Sequence, residues 1–327
     1  MNCIPQDQNS PLELRRLAAQ RQLYSKAKGL LAFQMVLSVP IAVTIAAAAL
    51  WNPAARVYAG IWGILATFVD LVWLSPWQQS LKNTAATVQE AFDCDLLHLP
   101  WNETTTGKPP AAEIVAEWSI LPRGVTYETL QLLNWYPSSI GELPLHVARI
   151  VCQRCNCWWD SNLRRRYAIW CIGIVATLFA VPCLGGTIAG VPLQQLALIV
   201  VLPLAPVATV GIRQFREQRD AAERLDSLRD HFATIWQRLL NGGVSPEESR
   251  EVSRRLQDRI FEHRRRTPLI FDWVYRKLRR KQETAMQRTA EELIGELRRA
   301  NVSVAALPTT VAGPVEGLGG RVQDLLP

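Results

Sequence analysis

Two long stretches of the chain carry no Asp, Glu, Lys or Arg, and they set the expected architecture. Residues 29–55 are uncharged, and so are the 46 residues between Arg166 and Arg213. A helix needs about 20 mainly apolar residues to cross the hydrocarbon core of a bilayer. The second stretch is therefore long enough for two crossings and a tight turn, and the first is long enough for one.

The apolar pattern predicts four membrane-spanning helices arranged as two hairpins. The spans are expected at about residues 29–50, 57–77, 167–188 and 193–212. Asn52 and Pro53 break the first hairpin, and a glycine-rich stretch ending at Pro192 breaks the second. The sequence therefore predicts an α-helical integral membrane protein with four transmembrane helices and a mainly α-helical cytoplasmic body.

The polar segments are expected to form that cytoplasmic body. In chain order the predicted organisation is an N-terminal amphipathic helix (1–28), transmembrane hairpin 1 (29–77), a cytoplasmic insertion (78–166), transmembrane hairpin 2 (167–212), a cytoplasmic helical region (213–300) and a disordered tail (301–327). The pattern favours an N-terminal helix that continues into the first span. Further helices are expected at about residues 79–92, 145–166, 213–240 and 269–300, with another beginning after Ser245.

Basic residues indicate the orientation of the spans. Lys and Arg precede the first and third spans and follow the fourth, whereas the two hairpin turns contain only Arg56. By the positive-inside rule, both termini and the insertion lie in the cytoplasm. The formal net charge of +7 suits an anionic partner, either lipid headgroups or nucleotide phosphates, and does not choose between them.

The remaining composition argues against a metal site and against common enzyme classes. Cys152, Cys155 and Cys157 form a C-x-x-C-x-C spacing, with His146 nearby. In a helix, however, residues 155 and 157 point about 200° apart, so ordinary thiols are favoured over a tetrahedral zinc site. The chain lacks a P-loop, an H-E-x-x-H pair and a G-x-S-x-G turn. We therefore expect neither an enzyme nor a bound cofactor.

Three segments resemble a known family. The stretches VQEAFDCDLLHLPWN (residues 88–102), NWYP (134–137) and VCQRCNCWWDSNLRRRYA (151–168) are similar to the SMODS-associating four-transmembrane effectors. The resemblance covers most of residues 10–300 and has the same layout of two spans plus two. It implies a pore-forming effector of a bacterial CBASS-type antiphage system in the inner membrane. It also implies activation by a cyclic oligonucleotide from a partner nucleotidyltransferase, which gathers or rearranges the effector, and a homo-oligomeric assembly is expected.

Asp70 is the one charged residue in the second predicted span. A carboxylate within a span is costly and usually faces a bundle interior or water. At 1.5 Å per residue it lies roughly 20 Å past the outer turn, in the inner part of the bilayer. Two interpretations remain open, namely a pore-lining or gating carboxylate and a side chain that extends to the cytoplasmic interface.

A cluster of arginine and tryptophan residues before the third span is the candidate ligand site. Its members are Arg154, Trp158, Trp159, Asp160 and Arg164. Guanidinium groups grip phosphates, and aromatic faces stack on bases. The alternative is a basic cluster that contacts anionic lipid, and it is favoured for residues 164–166, whereas both interpretations stay open for Arg154, Trp158 and Asp160. A second basic cluster, between residues 264 and 281, is interpreted as a solvated helix face.

The sequence leaves two other functional classes to test. One is a constitutive ion channel or small-solute transporter, which would need polar groups along the spans. The other is a non-conducting membrane scaffold that recruits partners. Four spans in one subunit leave little room for an aqueous path, so the effector hypothesis places the lumen between subunits.

Overall fold

The computed structural model describes residues 2–38, 40, 41, 44 and 55–300, and within these ranges every regular element is helical. The α-helices are α1 (Ile4–Asp7), α2 (Pro11–Ser38), α3 (Ala55–Val69), α4 (Ser75–Leu96), α5 (Glu103–Thr106), α6 (Ala112–Trp118), α7 (Leu145–Ile188), α8 (Leu193–Leu196), α9 (Leu202–Leu240), α10 (Pro246–Arg266) and α11 (Asp272–Arg299). The end of the first predicted span, its turn and the tail predicted to be disordered lie outside the described residues.

Helices of the predicted spans run without a break into the more polar segments, which together we call the body. The N-terminal helix continues into the first span as the sequence favours, because α2 is a single helix. The Ser10 Oγ accepts a hydrogen bond from the Glu13 backbone N–H at 3.4 Å and so caps its first turn. In the same way α7 contains both the predicted 145–166 helix and the third span. A movement of α2 or α7 in the body can therefore be transmitted along the same helix to its apolar segment.

Two helical pairs form the framework of the molecule. Helix α2 packs along α4, and α7 packs along α9. Glycines permit the close approach of α7 to α8 and to α9, because a Cβ at Gly186 would collide with Leu196 of α8 and one at Gly211 would collide with Val175. Small residues play this role wherever helix backbones approach closely in membranes.

Two π-helical turns interrupt the apolar helices. Residues Asp70–Leu74 join α3 to α4, and residues Ala197–Val201 join α8 to α9. A π-turn inserts one residue into the helical hydrogen-bond ladder and is frequent at functional sites. The first of these turns begins at Asp70, the charged residue of the second predicted span.

Apolar side chains are distributed in opposite ways in the two parts of the chain. In the body, Leu17, Phe92 and Phe232 are fully buried. Along the predicted spans, Ile64 is 75% exposed and Val181 is 64% exposed. Contiguous exposed apolar surface on this scale is typical of surfaces that meet a membrane or a partner. Among the described residues, Leu145–Ile188 is the one helix long and apolar enough to cross a bilayer by itself. The α-helical class is thus confirmed, and the four crossings stay a prediction.

The body core forms where α10 and α11 pack across α7. Phe92, Tyr136 and Phe232 belong to one buried cluster that also contains residues of α2 and α10. The start of α10 is capped by Ser245, whose Oγ accepts from the Glu248 N–H at 3.1 Å, as the sequence indicates. These contacts place α10 and α11 beside α7 and α2, and a cavity lies between them.

Candidate functional site

A buried network of carboxylates and arginines fixes α10 against α4. Glu90 Oε1 pairs with Arg254 at 2.6 Å, and Asp93 Oδ2 pairs with Arg264 at 2.6 Å. Gln257 donates to both carboxylates, at 2.9 and 3.0 Å. Both carboxylates have fully buried side chains. The interpretation of Arg264 as part of a solvated face is therefore wrong, because its charge compensates a buried carboxylate.

Arg164 ties three elements of the body together. Its guanidinium donates to Asp160 Oδ2 at 2.8 Å, Gln218 Oε1 at 2.8 Å, the Pro268 carbonyl at 2.9 Å and Thr267 Oγ1 at 3.0 Å. The residue is only 7% exposed. Its proposed contact with lipid headgroups is therefore wrong, since the donors are used inside the protein. As a candidate ligand residue it stays a prediction, now in a supporting position.

Asp160 is shared between Arg164 and His263, whose Nε2 lies 3.0 Å from its Oδ2. Burial alone raises the pKa of Asp160, but Arg164 and the hydrogen bond from His263 outweigh it and hold this pKa well below its usual range. Burial lowers the pKa of His263 despite the hydrogen bond to Asp160. At neutral pH the pair is therefore a carboxylate and a neutral imidazole whose Nε2–H donates.

A cavity of about 550 Å³ opens between these elements, and we call it the body cavity. It is bounded by residues of α2, α7, α10, α11 and the loop at residues 133–138. Small-molecule sites in proteins typically enclose about 300–1,000 Å³. The body cavity therefore has the size of a ligand site and lies in the part of the chain expected to face the cytoplasm.

Aromatic rings and an arginine line one side of the body cavity. The Trp159 and Tyr275 rings lie 6.1 Å apart, tilted by 50°. The Arg21 guanidinium lies 5.0 Å from the Tyr275 ring centroid. Within the described part of the chain, Arg21 makes no ion pair, whereas Lys28 pairs with Asp272 at 2.6 Å. Arg21 is therefore the lining cation whose charge is not compensated by an ion pair within the described residues.

Two residues that line the same cavity each have a buried polar atom without a partner. Gln20 is 4% exposed and His263 is 8% exposed. Among the described residues, neither Gln20 Oε1 nor His263 Nδ1 has a hydrogen-bond partner, and both residues line the body cavity. Buried polar atoms are nearly always satisfied in native proteins, so such orphans indicate a missing partner such as water or a ligand.

A second cavity, of about 620 Å³, lies where the helices enter the predicted membrane segments, and we call it the juxtamembrane cavity. Asp70 lines it, and its Oδ1 accepts from Gln34 Nε2 at 2.6 Å and from Ser75 Oγ at 3.2 Å. The carboxylate is thus held between α2 and α4 at the edge of a polar space. Its role in gating stays a prediction.

One short stretch, residues 267–269, separates the two cavities, and we call it the partition segment. Pro268 and Leu269 line both cavities. Besides the bonds from Arg164, the Thr267 carbonyl accepts from Lys82 Nζ at 3.0 Å. Lys82 is 8% exposed, and burial lowers its pKa to about 8. Lys82 belongs to α4, the helix that continues from the π-turn at Asp70.

The structure brings only part of the predicted ligand cluster together. Trp159, Asp160 and Arg164 line the body cavity, whereas Arg154 and Trp158 do not. Consecutive helical residues point about 100° apart, so neighbouring tryptophans face different sides. Sequence reasoning missed Arg21, which was assigned to the basic flank of the first span, and Tyr275, which lies more than a hundred residues from the cluster.

The cysteine-rich run lies inside α7. Cys152, Cys155 and Cys157 are buried and free. Burial raises the pKa of Cys155 and of Cys157 to about 12, so both are protonated thiols at neutral pH. Zinc binds thiolates, and the described residues contain no group of three or more potential ligands positioned for a metal.

An all-helical framework with exposed apolar helices, joined without a break to a body that holds a ligand-sized cavity, is typical of a membrane-associated protein. The chain belongs to the SMODS-associating 4TM effector domain family, which matches residues 2–293. It is similar to a probable CBASS effector molecule of Bacillus cereus, at 24% identity over 275 residues, or 82% of this chain and 90% of the relative. No solved structure matches the chain significantly.

Proposed function

We propose that the chain is a membrane effector of a bacterial CBASS antiphage system, which permeabilises the inner membrane when a cyclic oligonucleotide reaches its cytoplasmic body. Family membership and the similarity to a probable CBASS effector support the system. The protein acts without catalysis, by assembling and by changing shape. It spans the membrane four times, with both termini in the cytoplasm and the signal supplied by a partner nucleotidyltransferase.

The observation that carries this proposal is the continuity of helix α7 from the body cavity to an exposed apolar segment. Trp159 and Asp160 line the cavity, and Ile169, Val181 and Leu184 of the same helix are each 63–64% exposed. Those side chains are stable only against lipid or another subunit. A ligand that tilts or shifts α7 in the body therefore also moves its apolar segment.

The conducting path is proposed to lie between subunits. The helices of one copy pack closely, as the approach of Gly211 to Val175 indicates, which leaves no room for a lumen within α7 and α9. Asp70 lines the juxtamembrane cavity, and we propose that it meets water that enters from the cytoplasm. Assembly would bring one such carboxylate per subunit around a shared path.

A constitutive channel is the second candidate, and the juxtamembrane cavity is the observation that favours it. That cavity is lined by polar side chains of several helices, among them Gln34, Gln78 and Gln214. Polar groups in this position are expected in a permanently open path as well as in a gated one. The two candidates differ in whether conduction needs a ligand.

Leakage from liposomes distinguishes the candidates. The purified full-length chain is reconstituted into phosphatidylethanolamine–phosphatidylglycerol vesicles that contain a self-quenching dye. Cyclic di-adenylate, cyclic di-guanylate, cyclic GMP–AMP and cyclic tri-adenylate are each added outside. Leakage that needs one of these compounds supports the effector, steady leakage supports the constitutive channel, and tight vesicles in every case contradict both and favour a scaffold.

A further inference from the structure

We propose that the body cavity is the binding site for the cyclic oligonucleotide. One base stacks on Trp159 beside Tyr275, Arg21 contacts a backbone phosphate, and Gln20 Oε1 and His263 Nδ1 accept hydrogen bonds from the base or sugar. The inference rests on the proposed function for the source of the ligand. It assigns a site that differs in part from the cluster expected from sequence.

The charge distribution in the cavity selects one phosphate contact. Three of its cations are already compensated, since Arg164 pairs with Asp160, Arg264 with Asp93 and Lys28 with Asp272. The fourth, Arg21, has no ion pair among the described residues and packs over Tyr275 instead. A guanidinium over a ring is bound through the charge of its face and does not use its N–H donors, and those donors match phosphate oxygens.

The remaining lining groups select a base rather than a bare phosphate. The Trp159 and Tyr275 rings offer π-faces, and base–aromatic stacking is a strong and general contribution to nucleotide binding. His263 Nε2 donates to Asp160, which leaves Nδ1 as an acceptor, and the Gln20 Oε1 is a second acceptor. An exocyclic amino group and a ribose hydroxyl carry donors for these two acceptors, whereas the phosphodiester of a nucleotide backbone carries none.

The position of the site explains how occupancy reaches the membrane segments. Pro268 and Leu269 form part of the body cavity and also part of the juxtamembrane cavity. A ligand that displaces the partition segment alters both spaces at once. The bound nucleotide therefore lies within one loop of the cavity that contains Asp70.

Direct binding to the full-length protein in detergent tests the assignment. Radiolabelled cyclic di-adenylate, cyclic di-guanylate, cyclic GMP–AMP and cyclic tri-adenylate are the probes, and AMP and inorganic phosphate are the linear and bare-phosphate comparisons. We expect at least one cyclic probe to bind, and we expect Trp159→Ala and Arg21→Gln each to weaken its Kd at least tenfold. Trp159→Phe, which keeps a ring, should recover most of the affinity and guards against a loss caused by misfolding.

Matched controls come from α7, the helix that contains Trp159. Trp158→Ala and Arg154→Gln change the same residue types outside the cavity lining and should alter the Kd less than twofold. The assignment would be overturned if these controls lost binding while Trp159→Ala and Arg21→Gln kept it. Equal binding of AMP would overturn it as well. If ligand-dependent leakage persists in both cavity variants, the site assignment is wrong and the proposed function stands. If no cyclic probe binds the protein or causes leakage, both the site assignment and the proposed function are wrong.

Discussion

The body cavity and the juxtamembrane cavity share the partition segment but are built from different side chains. Rings and paired charges surround the body cavity, as in the contacts of Trp159 with Tyr275 and of Asp160 with Arg164. The juxtamembrane cavity is lined by amides, by charged side chains of both signs such as Asp70 and Arg213, and by Lys82, whose ammonium donates to a backbone carbonyl. Aromatic walls suit a bound ligand, whereas flexible polar walls suit water and ions.

If the proposed function is correct, this difference assigns recognition of the ligand to one cavity and conduction to the other. A site that recognises a planar base needs rigid rings and pre-paired charges, because each disordered group adds to the cost of binding. A path for ions needs polar groups that bind weakly enough to release. If this assignment is correct, variants of the two cavities should separate binding from leakage, and variants of the segment between them should affect both or uncouple them.

Arg164→Met should have the largest effect, because it removes the tie that holds both cavities. The substitution leaves Asp160 without its main partner and removes the donor to the Pro268 carbonyl and to Gln218 Oε1. Breaking a buried pair in this way typically costs about 3–5 kcal/mol. In a chain of this size we expect the thermal unfolding temperature in detergent to fall by about 5–10 °C.

Arg165→Gln is the matched control for this prediction. Arg165 is the next residue of the same helix, and its side chain is 51% exposed in a surface pair with Asp226. Such pairs contribute about 0–1 kcal/mol. Equal losses of stability in the two variants would show that Arg164 does not hold the body together.

Lys82→Met should abolish the response to ligand while leaving ligand binding intact. The Lys82 Nζ bond to Thr267 is a direct link between the partition segment and the helix that continues from Asp70. Without it, movement of the partition segment no longer reaches α4. We expect ligand-dependent leakage to fall at least tenfold and the Kd of the cyclic probe to change less than twofold.

Lys82→Arg keeps a buried cation that can donate to the same carbonyl, so it serves as the control. It should retain most of the leakage. If Lys82→Met vesicles leaked as much as wild-type vesicles, the Lys82 bond would not be needed to couple the two cavities. If Lys82→Met lost ligand binding, Lys82 would instead contribute to binding of the ligand.

Asp70→Asn should change the selectivity of leakage more than its amount. The amide oxygen can still accept from Gln34 and Ser75, but the negative charge is gone. Rings of carboxylates favour cations in channels, so we expect the preference for K⁺ over Cl⁻ to fall by a factor of about three. Ion-specific dyes in the vesicles measure this ratio, and Asp230→Asn, at an exposed position of α9, is the control. An unchanged ratio would exclude Asp70 from the path.

Periodicity and capping predicted the helices well, because those signals are local. Ser245 begins α10 in the structure, and the expected helix at residues 79–92 lies within α4. The cavity is different, because its walls come from Gln20, Trp159 and Tyr275, which lie far apart in the chain. No short-range pattern distinguishes Trp159 from Trp158; only the packing of α7 against α11 decides which ring faces inward.

The buried arginines show a second limit of sequence reasoning. Arg164 and Arg264 occur in basic runs that are typical of solvated or lipid-facing surfaces. Each is instead buried against a carboxylate. Arg164 pairs with Asp160, one turn earlier in the same helix, and Arg264 pairs with Asp93 of α4. A run of basic residues in the sequence does not show which of them will be buried. Burial of an arginine depends on whether the fold places a carboxylate beside it, so only the structure distinguishes these arginines from their exposed neighbours.

The smallest expected effect is a pH dependence of stability from Lys82. Burial, with a further contribution from Arg164, lowers its pKa to about 8, against about 10.4 in an unfolded chain. Between these values the unfolded state binds more protons than the folded state, so the contribution of Lys82 to stability rises with pH. Between pH 7 and pH 9 we expect the free energy of unfolding of the wild type to rise by about 1 kcal/mol relative to that of Lys82→Arg. The reason is that arginine stays charged in both the folded and the unfolded state. Thermal unfolding of the two proteins in detergent measures the gain, and parallel curves would mean that the ammonium is solvated and the wall of the juxtamembrane cavity is open to water.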